Sequence, residues 1–298
     1  MPTKFKSGFV TLIGRPNAGK STLMNAMLGE KLAIVSDKPQ TTRTKVTGIL
    51  SEPDYQVVFL DTPGIHKPRG LMNEFMVKAA KDACGEVDLI LFLVEADRQP
   101  GKIEEEILEF LRPQKTKVFL VITKIDLVEK PKILPLISKM TSAFSFAEVI
   151  PVSSVTNENV DDLKATIIGY LPEGPKYFPE DEISEQPERF IAAEIIREKI
   201  FHLIKDEVPY STAVLVEEMK DKGEIIYTRA DIYVEKDSQK AILIGAKGQM
   251  LKKIGELARK DIERLMGSKI FLELWVKVRK DWRESPALLR EMGFDRKK

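Results

Sequence analysis

One eight-residue motif near the start of the chain constrains its fold more than any other feature. Gly14-Arg15-Pro16-Asn17-Ala18-Gly19-Lys20-Ser21 reads G-x-x-x-x-G-K-S, follows the apolar run 9–13 and leads into a helix-like segment at Thr22. A strand, a glycine loop and a helix in this order form a cradle whose backbone N–H groups face phosphates. The motif predicts a site for a nucleoside triphosphate and Mg²⁺, with Lys20 on the outer phosphates and the Ser21 hydroxyl on the metal.

A second motif supplies the carboxylate that such a site needs. Asp61-Thr62-Pro63-Gly64 follows the short apolar run 57–60, which has the composition of a buried strand. A carboxylate at the carboxyl end of a strand beside the phosphate loop is placed to complete a Mg²⁺ shell, usually through water. Gly64 has no Cβ, so its backbone N–H can come close to a γ-phosphate.

Two further motifs predict a site for a purine base. Thr123-Lys124-Ile125-Asp126 ends the apolar run 117–122, and Ser153-Ser154 follows the run 149–152 in a loop that could close over the base. The Asp126 carboxylate can accept both the ring N–H and the exocyclic amine of guanine. Adenine offers no such pair of donors, so Asp126 indicates GTP rather than ATP.

Each of these short motifs is common by chance, but four in the right order, each after a strand, are not. In this order they resemble the translation-factor-related small GTPases. The resemblance implies that switch I lies around Thr41-Thr42-Arg43 and that switch II begins at Asp61. It also implies that Thr42 joins Ser21 and Asp61 as a metal ligand, and that Thr42 joins Lys20 and Gly64 in hydrolysis.

The chain departs from that family pattern at two positions. Thr123 stands where Asn is usual, and its shorter hydroxyl predicts reduced guanine affinity. Ile65 stands where many GTPases carry a Gln that orients the attacking water, so slow intrinsic hydrolysis is expected, relieved by a partner, a cation or RNA. Asn17 has two equally weighted interpretations: it helps hold K⁺ near the developing charge, or it caps the phosphate loop.

A second glycine motif lies far downstream. The strand-like run 241–244 leads into Ile244-Gly245-Ala246-Lys247-Gly248, and a helix with Lys252 and Lys253 on its basic face continues to Gly267. A G-x-x-G loop before a basic helix can clamp a nucleic-acid backbone, because its glycines permit close approach and Lys247 meets phosphate. With the alternating strand 269–280, this region resembles a KH domain; the alternative is an ordinary turn with a solvated basic face.

Charge is unevenly distributed along a nearly neutral chain, which has 47 Lys+Arg and 46 Asp+Glu. Residues 241–298 contain 15 Lys+Arg against 8 Asp+Glu, a net of +7, whereas residues 181–240 contain 9 against 15, a net of −6. A basic terminal segment on a neutral chain indicates a localised polyanion site rather than indiscriminate binding.

The motif order, the run Pro39-Gln40-Thr41-Thr42-Arg43 and the segment 272–278 together resemble the Era family of bacterial GTPases. The resemblance implies a GTP/GDP switch that binds the 3′ end of small-subunit ribosomal RNA and acts in small ribosomal subunit assembly. Two alternatives remain: a GTPase that serves RNA modification, and a passive RNA-binding module whose nucleotide site is structural. An ATP-dependent kinase or helicase is disfavoured by Asp126.

The predicted organisation has two domains. An α/β P-loop GTPase domain with a mainly parallel sheet spans 1–171, a proline-rich, semi-rigid linker spans 172–180, and an α+β KH domain with a basic tail spans 181–298. The single cysteine excludes an intrachain disulfide and fits a reducing compartment. No apolar run is long enough to span a bilayer and no signal-peptide core is present, so a cytoplasmic location is expected, with peripheral contact at the inner membrane left open. A monomer is also expected.

Overall fold

A computed structural model describes residues 5–36, 38, 40–68, 70–292 and 294. Pro39 of the predicted switch I run lies outside these described residues. The chain forms two compact units: the first contains residues up to 68 together with 76–185, and the second contains 69–75 together with 186–298. Each unit has its own sheet.

The first unit contains a mainly parallel sheet, as predicted. Among the described residues its strands are β1 (Lys6–Gly14), β2 (Val46–Glu52), β3 (Tyr55–Asp61), β4 (Leu89–Glu95), β5 (Lys117–Thr123) and β6 (Glu148–Pro151). Their order is β2-β3-β1-β4-β5-β6, and every pair is parallel except β2 with β3. The antiparallel β2 lies at one edge of the sheet.

Burial explains why these segments form parallel strands. Every residue of β4 is buried, and β5 is buried after its first residue, so both strands are covered on two faces. Among the described residues before 186 the helices are α1 (Lys20–Leu28), α2 (Leu71–Asp82), α3 (Lys102–Leu111), α4 (Ile133–Ala143) and α5 (Val160–Tyr170); α2 belongs to the first unit from Met76 onward. The carboxyl ends of β1, β3, β4 and β5 therefore meet at one edge of the sheet, where a ligand site is expected.

The segment after α5 is held against the sheet of the first unit. The Gln56 side-chain amide donates to the Phe178 carbonyl (2.9 Å), and its Oε1 accepts from the Tyr177 backbone N–H (2.7 Å). Further along, the Ile49 backbone N–H donates to the Ile183 carbonyl (2.9 Å). The predicted semi-rigid linker is thus hydrogen-bonded to β3, the segment just after it is hydrogen-bonded to β2, and the first unit continues to Glu185.

The second unit has the α+β architecture predicted for it. Among its described residues the elements are α6 (Glu188–Leu203), β7 (Ala213–Asp221), β8 (Ile226–Val234), α7 (Asp237–Ile244), α8 (Gln249–Met266), β9 (Ile270–Val278) and α9 (Pro286–Glu291). The strand order is β7-β8-β9, with β7 antiparallel and β9 parallel to the central β8. No helix among the described residues is both long enough and apolar enough to cross a membrane.

The prediction of a strand-like run at 241–244 is wrong, because these residues form the second half of α7. The Gln239 Oε1 accepts from the backbone N–H of Lys236 (3.1 Å) and caps the helix start. Leu243 is the buried residue of the run, whereas Ile242 is 48% exposed. A four-residue apolar run has no period of its own, so the capping residues upstream decide between helix and strand.

Candidate functional site

The predicted phosphate loop, Gly14 to Ser21, runs from the end of β1 into α1. Asn17 and Gly19 have left-handed backbones (φ 67° and 86°), which curl the loop, and the Gly19 carbonyl accepts the first helical hydrogen bond from Leu23 (2.8 Å). The Lys20 ammonium folds back over the loop and donates to the Arg15 carbonyl (3.0 Å). The loop therefore has the cradle shape that the motif predicts.

Burial sets the electrostatics of Lys20. Its side chain is 5% exposed, and this burial lowers the pKa of Lys20 to about 8, against the opposing charges of Asp61 and Glu95. A buried ammonium is stabilised by any anion that enters its surroundings. The site thus favours a polyanionic ligand such as a triphosphate.

The three predicted magnesium ligands lie together, although they come from three separate segments. The Ser21 hydroxyl donates to Asp61 Oδ2 (2.5 Å), and the Thr42 Oγ1 lies 2.8 Å from Ser21 Oγ and 3.2 Å from Asp61 Oδ2. Burial raises the pKa of Asp61, against the opposing Lys20 charge and the hydrogen bonds from Ser21 and Thr42. The second carboxylate oxygen, Oδ1, is buried with no hydrogen-bond partner among the described residues.

This donor set fits Mg²⁺. Magnesium prefers oxygen ligands, and proteins usually hold it with one or two carboxylates while substrate phosphates and waters complete the octahedron. Within the described residues there is no group of three or more His, Cys, Asp or Glu that could hold another metal. Ser21, Thr42 and the unsatisfied oxygen of Asp61 would hold the ion beside the phosphate loop.

The start of switch II is bound to the phosphate loop. The Ile65 backbone N–H donates to the Gly14 carbonyl (2.9 Å), and the Thr62 hydroxyl donates to the Leu12 carbonyl (2.6 Å). A Cβ on Gly64 would lie 2.4 Å from the Pro16 nitrogen, so only glycine fits at this distance. The Ile65 side chain is buried in the apolar core, and no polar group at position 65 faces the site.

The predicted base loop is tied to the phosphate loop. The Thr123 hydroxyl donates to the Ala18 carbonyl (2.9 Å), so its observed contacts are with the protein backbone. Lys124 has a left-handed backbone (φ 59°), and Asp126 is exposed in the short 3₁₀ turn that follows. The Ser153 hydroxyl is buried and accepts from the backbone N–H of its own loop at Thr156 (3.2 Å), while Ser154 is half-buried.

A cavity of about 170 Å³ lies at the centre of these loops. Its lining residues are Pro16, Asn17, Gly19, Lys20, Ser21, Thr22, Ile34, Val35, Ser36, Gln40, Thr41, Thr42, Gly64 and Lys124. Of the predicted base residues, Lys124 is in this lining, whereas Asp126, Ser153 and Ser154 are not. Ile34, Val35 and Ser36 could not be predicted from the sequence, because an irregular segment before switch I carries no periodic or chemical signal.

The downstream glycine loop has an unusual backbone. Gly245, Lys247 and Gly248 all have positive φ values (70°, 49° and 77°), and a Cβ on Gly245 would lie 2.7 Å from the Cβ of Met250. This conformation leaves Lys247 exposed at the start of α8. Such a turn brings backbone N–H groups and a cation to the surface, as a nucleic-acid clamp requires.

A groove of about 350 Å³ continues from this loop between α8 and β9. Its lining residues are Gly248, Leu251, Lys252, Gly255, Glu256, Arg259, Leu272 and Leu274. Of the predicted RNA-binding residues, Gly248 and Lys252 line the groove. Ile244, Gly245 and Ala246 come just before Gly248 in the chain and are not part of the lining. Lys253 is exposed outside the groove. The helical spacing of Leu251, Gly255 and Arg259 is the signal that could have located the α8 side of the groove.

The fold and these two sites define a P-loop GTPase joined to a KH domain. Residues 9–124 match the family described as 50S ribosome-binding GTPase, and residues 207–283 match the KH domain family. The chain is 53% identical over 292 residues to the GTPase Era of Geobacter metallireducens, covering 97% of this chain and 98% of that protein. The chain therefore belongs to the Era family of GTPases.

Two solved structures are similar over nearly the whole chain. Era in complex with MgGDPNP and nucleotides 1506–1542 of 16S ribosomal RNA is 41% identical, with a TM-score of 0.95 over 98% of this chain and all of that chain. A variant of Aquifex aeolicus Era bound to GDP and AlF₄⁻ is 40% identical, with a TM-score of 0.94 over 98% of this chain and all of that chain. The chain is thus a GTP-hydrolysing enzyme that uses Mg²⁺.

Proposed function

We propose that this GTPase is a nucleotide-dependent switch that binds the 3′ end of small-subunit ribosomal RNA through its KH unit and acts in small-subunit assembly. The observation that carries the switch is the hydrogen-bonded triangle of Ser21, Thr42 and Asp61. Thr42 belongs to a segment without regular secondary structure, yet its hydroxyl reaches the metal-binding pair. A ligand at this triangle would therefore set the position of switch I.

Catalysis rests on charge and positioning. When bound, Mg²⁺ neutralises charge that develops on the phosphate oxygens. The buried Lys20 ammonium supplies a second positive charge, and the backbone N–H groups of the phosphate loop and of Gly64 are donors at fixed positions. Because Ile65 points into the core, no side chain at that position orients water, so the intrinsic rate should be slow.

Guanine selection is assigned to Asp126, with Lys124, Ser153 and Ser154 beside the base. The Thr123 hydroxyl hydrogen-bonds the phosphate loop at Ala18. A side chain used in this way holds the two loops together and leaves selectivity to the Asp126 carboxylate. Reduced guanine affinity, with discrimination against adenine retained, remains the expectation.

The groove beside the glycine loop supports RNA as the ligand of the second unit. Leu251, Leu272 and Leu274 give the groove an apolar floor, while Lys252 and Arg259 stand on its α8 side. Unstacked bases can pack on an apolar floor while cations meet the phosphates, which is how single-stranded RNA is bound. The related Era structure contains nucleotides 1506–1542 of 16S ribosomal RNA.

Several finer assignments belong to the same proposal. The GTPase domain at 1–171, the linker at 172–180 and the KH domain at 181–298 are its functional parts, and the protein acts in the cytoplasm. Asn17 lines the nucleotide cavity with a left-handed backbone, and its two interpretations, contact with K⁺ and capping of the phosphate loop, both stay predictions. A monomeric state and peripheral contact with the inner membrane stay predictions of the sequence.

The test is binding of the full-length protein to an RNA with the sequence of the small-subunit 3′ end, against a scrambled RNA. Affinity should be sequence-dependent and stronger with a non-hydrolysable GTP analogue than with GDP. Lys247→Asp should lower RNA affinity by about tenfold or more, because it reverses a phosphate-facing charge, and should leave GTP hydrolysis unchanged. Lys205→Asp, an equal charge change at an exposed position of the same unit, is the control. Equal affinity for both RNAs would contradict the proposed target.

A further inference from the structure

A buried carboxylate beside the nucleotide-binding loops has no assigned role in the function described so far. Glu95 is the last residue of β4 and is 3% exposed. Its Oε1 accepts a hydrogen bond from the Lys124 ammonium (2.5 Å), and its Oε2 lies 3.7 Å from the Arg15 Nε. The more exposed Arg98 guanidinium is 3.9 Å away. One buried acid is therefore surrounded by three cations.

Two of these cations come from the nucleotide-binding loops. Arg15 is the second residue of the phosphate loop, and Lys124 is the second residue of the base loop. Arg15 is also held from the other side, because its guanidinium lies 3.6 Å from the carboxylate of Glu104 at the start of α3. Glu104 itself is buried and accepts from the Gly101 backbone N–H (2.7 Å). The Glu95 carboxylate thus joins the two loops at a single anchored point.

We propose that Glu95 is a positioning residue that sets nucleotide affinity by holding Lys124 and Arg15 on one buried charge. The inference rests on the assignment of the phosphate and base loops made above. It goes beyond that assignment because Glu95 does not line the cavity and would act through the two cations.

The geometry of Lys124 explains why an anchor is needed. Its left-handed backbone is disfavoured for a residue with a Cβ, so the loop needs a compensating contact to keep this conformation. The ion pair with Glu95 is that contact, and it keeps the Lys124 side chain along the cavity wall.

The contact with Arg15 is an ion pair without a hydrogen bond. Both the Arg15 Nε and the Glu95 Oε2 are buried with no hydrogen-bond partner among the described residues. A shift of less than 1 Å would bring them within hydrogen-bonding distance.

The experiment compares Glu95→Gln, Glu95→Asp and Lys124→Met in the full-length protein, with Glu106→Gln on the exposed side of α3 as the control. Glu95→Gln keeps the shape and removes the charge. It should weaken GDP and GTP-analogue binding by about tenfold, raise KM by the same factor and leave kcat within about twofold. Glu95→Asp should recover most of the affinity, and Glu106→Gln should match the unmodified protein.

A double variant tests whether Glu95 acts through Lys124. If it does, adding Glu95→Gln to Lys124→Met should cost far less affinity than Glu95→Gln costs alone. Fully additive losses, or a lowered melting temperature with unchanged KM, would overturn the proposal. If Glu95→Gln does not fold, a double-mutant cycle of Arg15→Met and Lys124→Met is measured instead. Because both cations act on one carboxylate, the two losses of nucleotide affinity should not be additive. Additive losses would again overturn the proposal.

Failure of the underlying assignment gives a different result. Asp126→Asn tests guanine recognition without touching the Glu95 cluster. Retained preference of that variant for GTP over xanthosine triphosphate would refute the base-loop assignment, whatever the Glu95 variants show. If Asp126→Asn shifts its preference to xanthosine triphosphate and Glu95→Gln has an unchanged KM, the positioning role of Glu95 alone is refuted.

Discussion

Replacing Lys20 with Met should stabilise the nucleotide-free protein while abolishing hydrolysis. Lys20 is 5% exposed, and burial lowers its pKa from 10.5 to about 8. At 1.36 kcal/mol for each pKa unit, the charged form costs the folded state about 3 kcal/mol at neutral pH. Met is similar in length and carries no charge, so it removes this cost. The hydrogen bonds from the ammonium to the Gly14 and Arg15 carbonyls are lost in the variant, which reduces the expected gain to about 1–2 kcal/mol.

The assay is thermal unfolding of the full-length, nucleotide-free protein at pH 7. The transition to be measured is the one whose midpoint temperature changes when GDP is added to the unmodified protein. A gain of that size corresponds to a rise of about 3–6 °C for a unit of this length. GDP should stabilise the unmodified protein and have little effect on Lys20→Met, because the phosphate-binding charge is gone. Lys115→Met, which changes an exposed lysine of the same unit, should leave the transition in place.

The pH dependence gives the sharper test of the reasoning. Below pH 8 the lysine is protonated in both the folded and the unfolded chain, so the full cost is present. Between pH 8 and 10.5 the folded chain releases the proton while the unfolded chain keeps it, and the free energy of unfolding of the unmodified protein rises. The advantage of Lys20→Met should therefore shrink over this interval. A lower melting temperature of the variant at pH 7, or an advantage independent of pH, would refute the argument.

Two further substitutions test the nucleotide site. Asp126→Asn should move preference from GTP towards xanthosine triphosphate, since the amide can donate where the carboxylate accepts. Competition binding with both triphosphates measures this preference, and a variant that still prefers GTP would contradict the assignment. Gly64→Ala should lower kcat/KM by roughly 10–100-fold, because its Cβ would lie 2.4 Å from the Pro16 nitrogen and displace the loop at a cost of about 1–3 kcal/mol. Gly169→Ala, whose Cβ would meet nothing within 4 Å, is the matched control, and equal kinetics in the two variants would contradict the steric argument.

The sequence predicted the parts of the fold that carry strong local signals. The buried strands of the first unit appear as continuous apolar runs, and the phosphate loop has a fixed residue pattern between a strand and a helix. Convergence of Ser21 and Asp61 follows from parallel strands ending at one edge of a sheet. Thr42, in contrast, belongs to an irregular segment, so its place at the site came from family resemblance rather than from any periodicity.

The features that were not predicted from the sequence have physical causes as well. Only the capping contact of Gln239 distinguishes α7 from a strand, and such a contact is a property of the folded backbone. The floor of the groove combines α8 with Leu272 and Leu274 of β9, a pairing that depends on tertiary packing. Glu95 could have been found, because an acidic residue at the carboxyl end of a buried strand is the same signal that identified Asp61.

The segment that follows α5 has a consequence for the solubility of the first unit. β2 is an edge strand, and unpaired edge strands are templates for association with other chains. Ile183 accepts the Ile49 backbone N–H, and the Ser184 hydroxyl donates to the Thr47 carbonyl (2.6 Å), so part of this edge is already occupied. A GTPase fragment that ended at Leu171 would lose this cover and expose a β-edge to aggregation, whereas one that ended at Glu185 would keep it. Ile183 and Ser184 thus protect the β2 edge from pairing with the edge strand of another molecule.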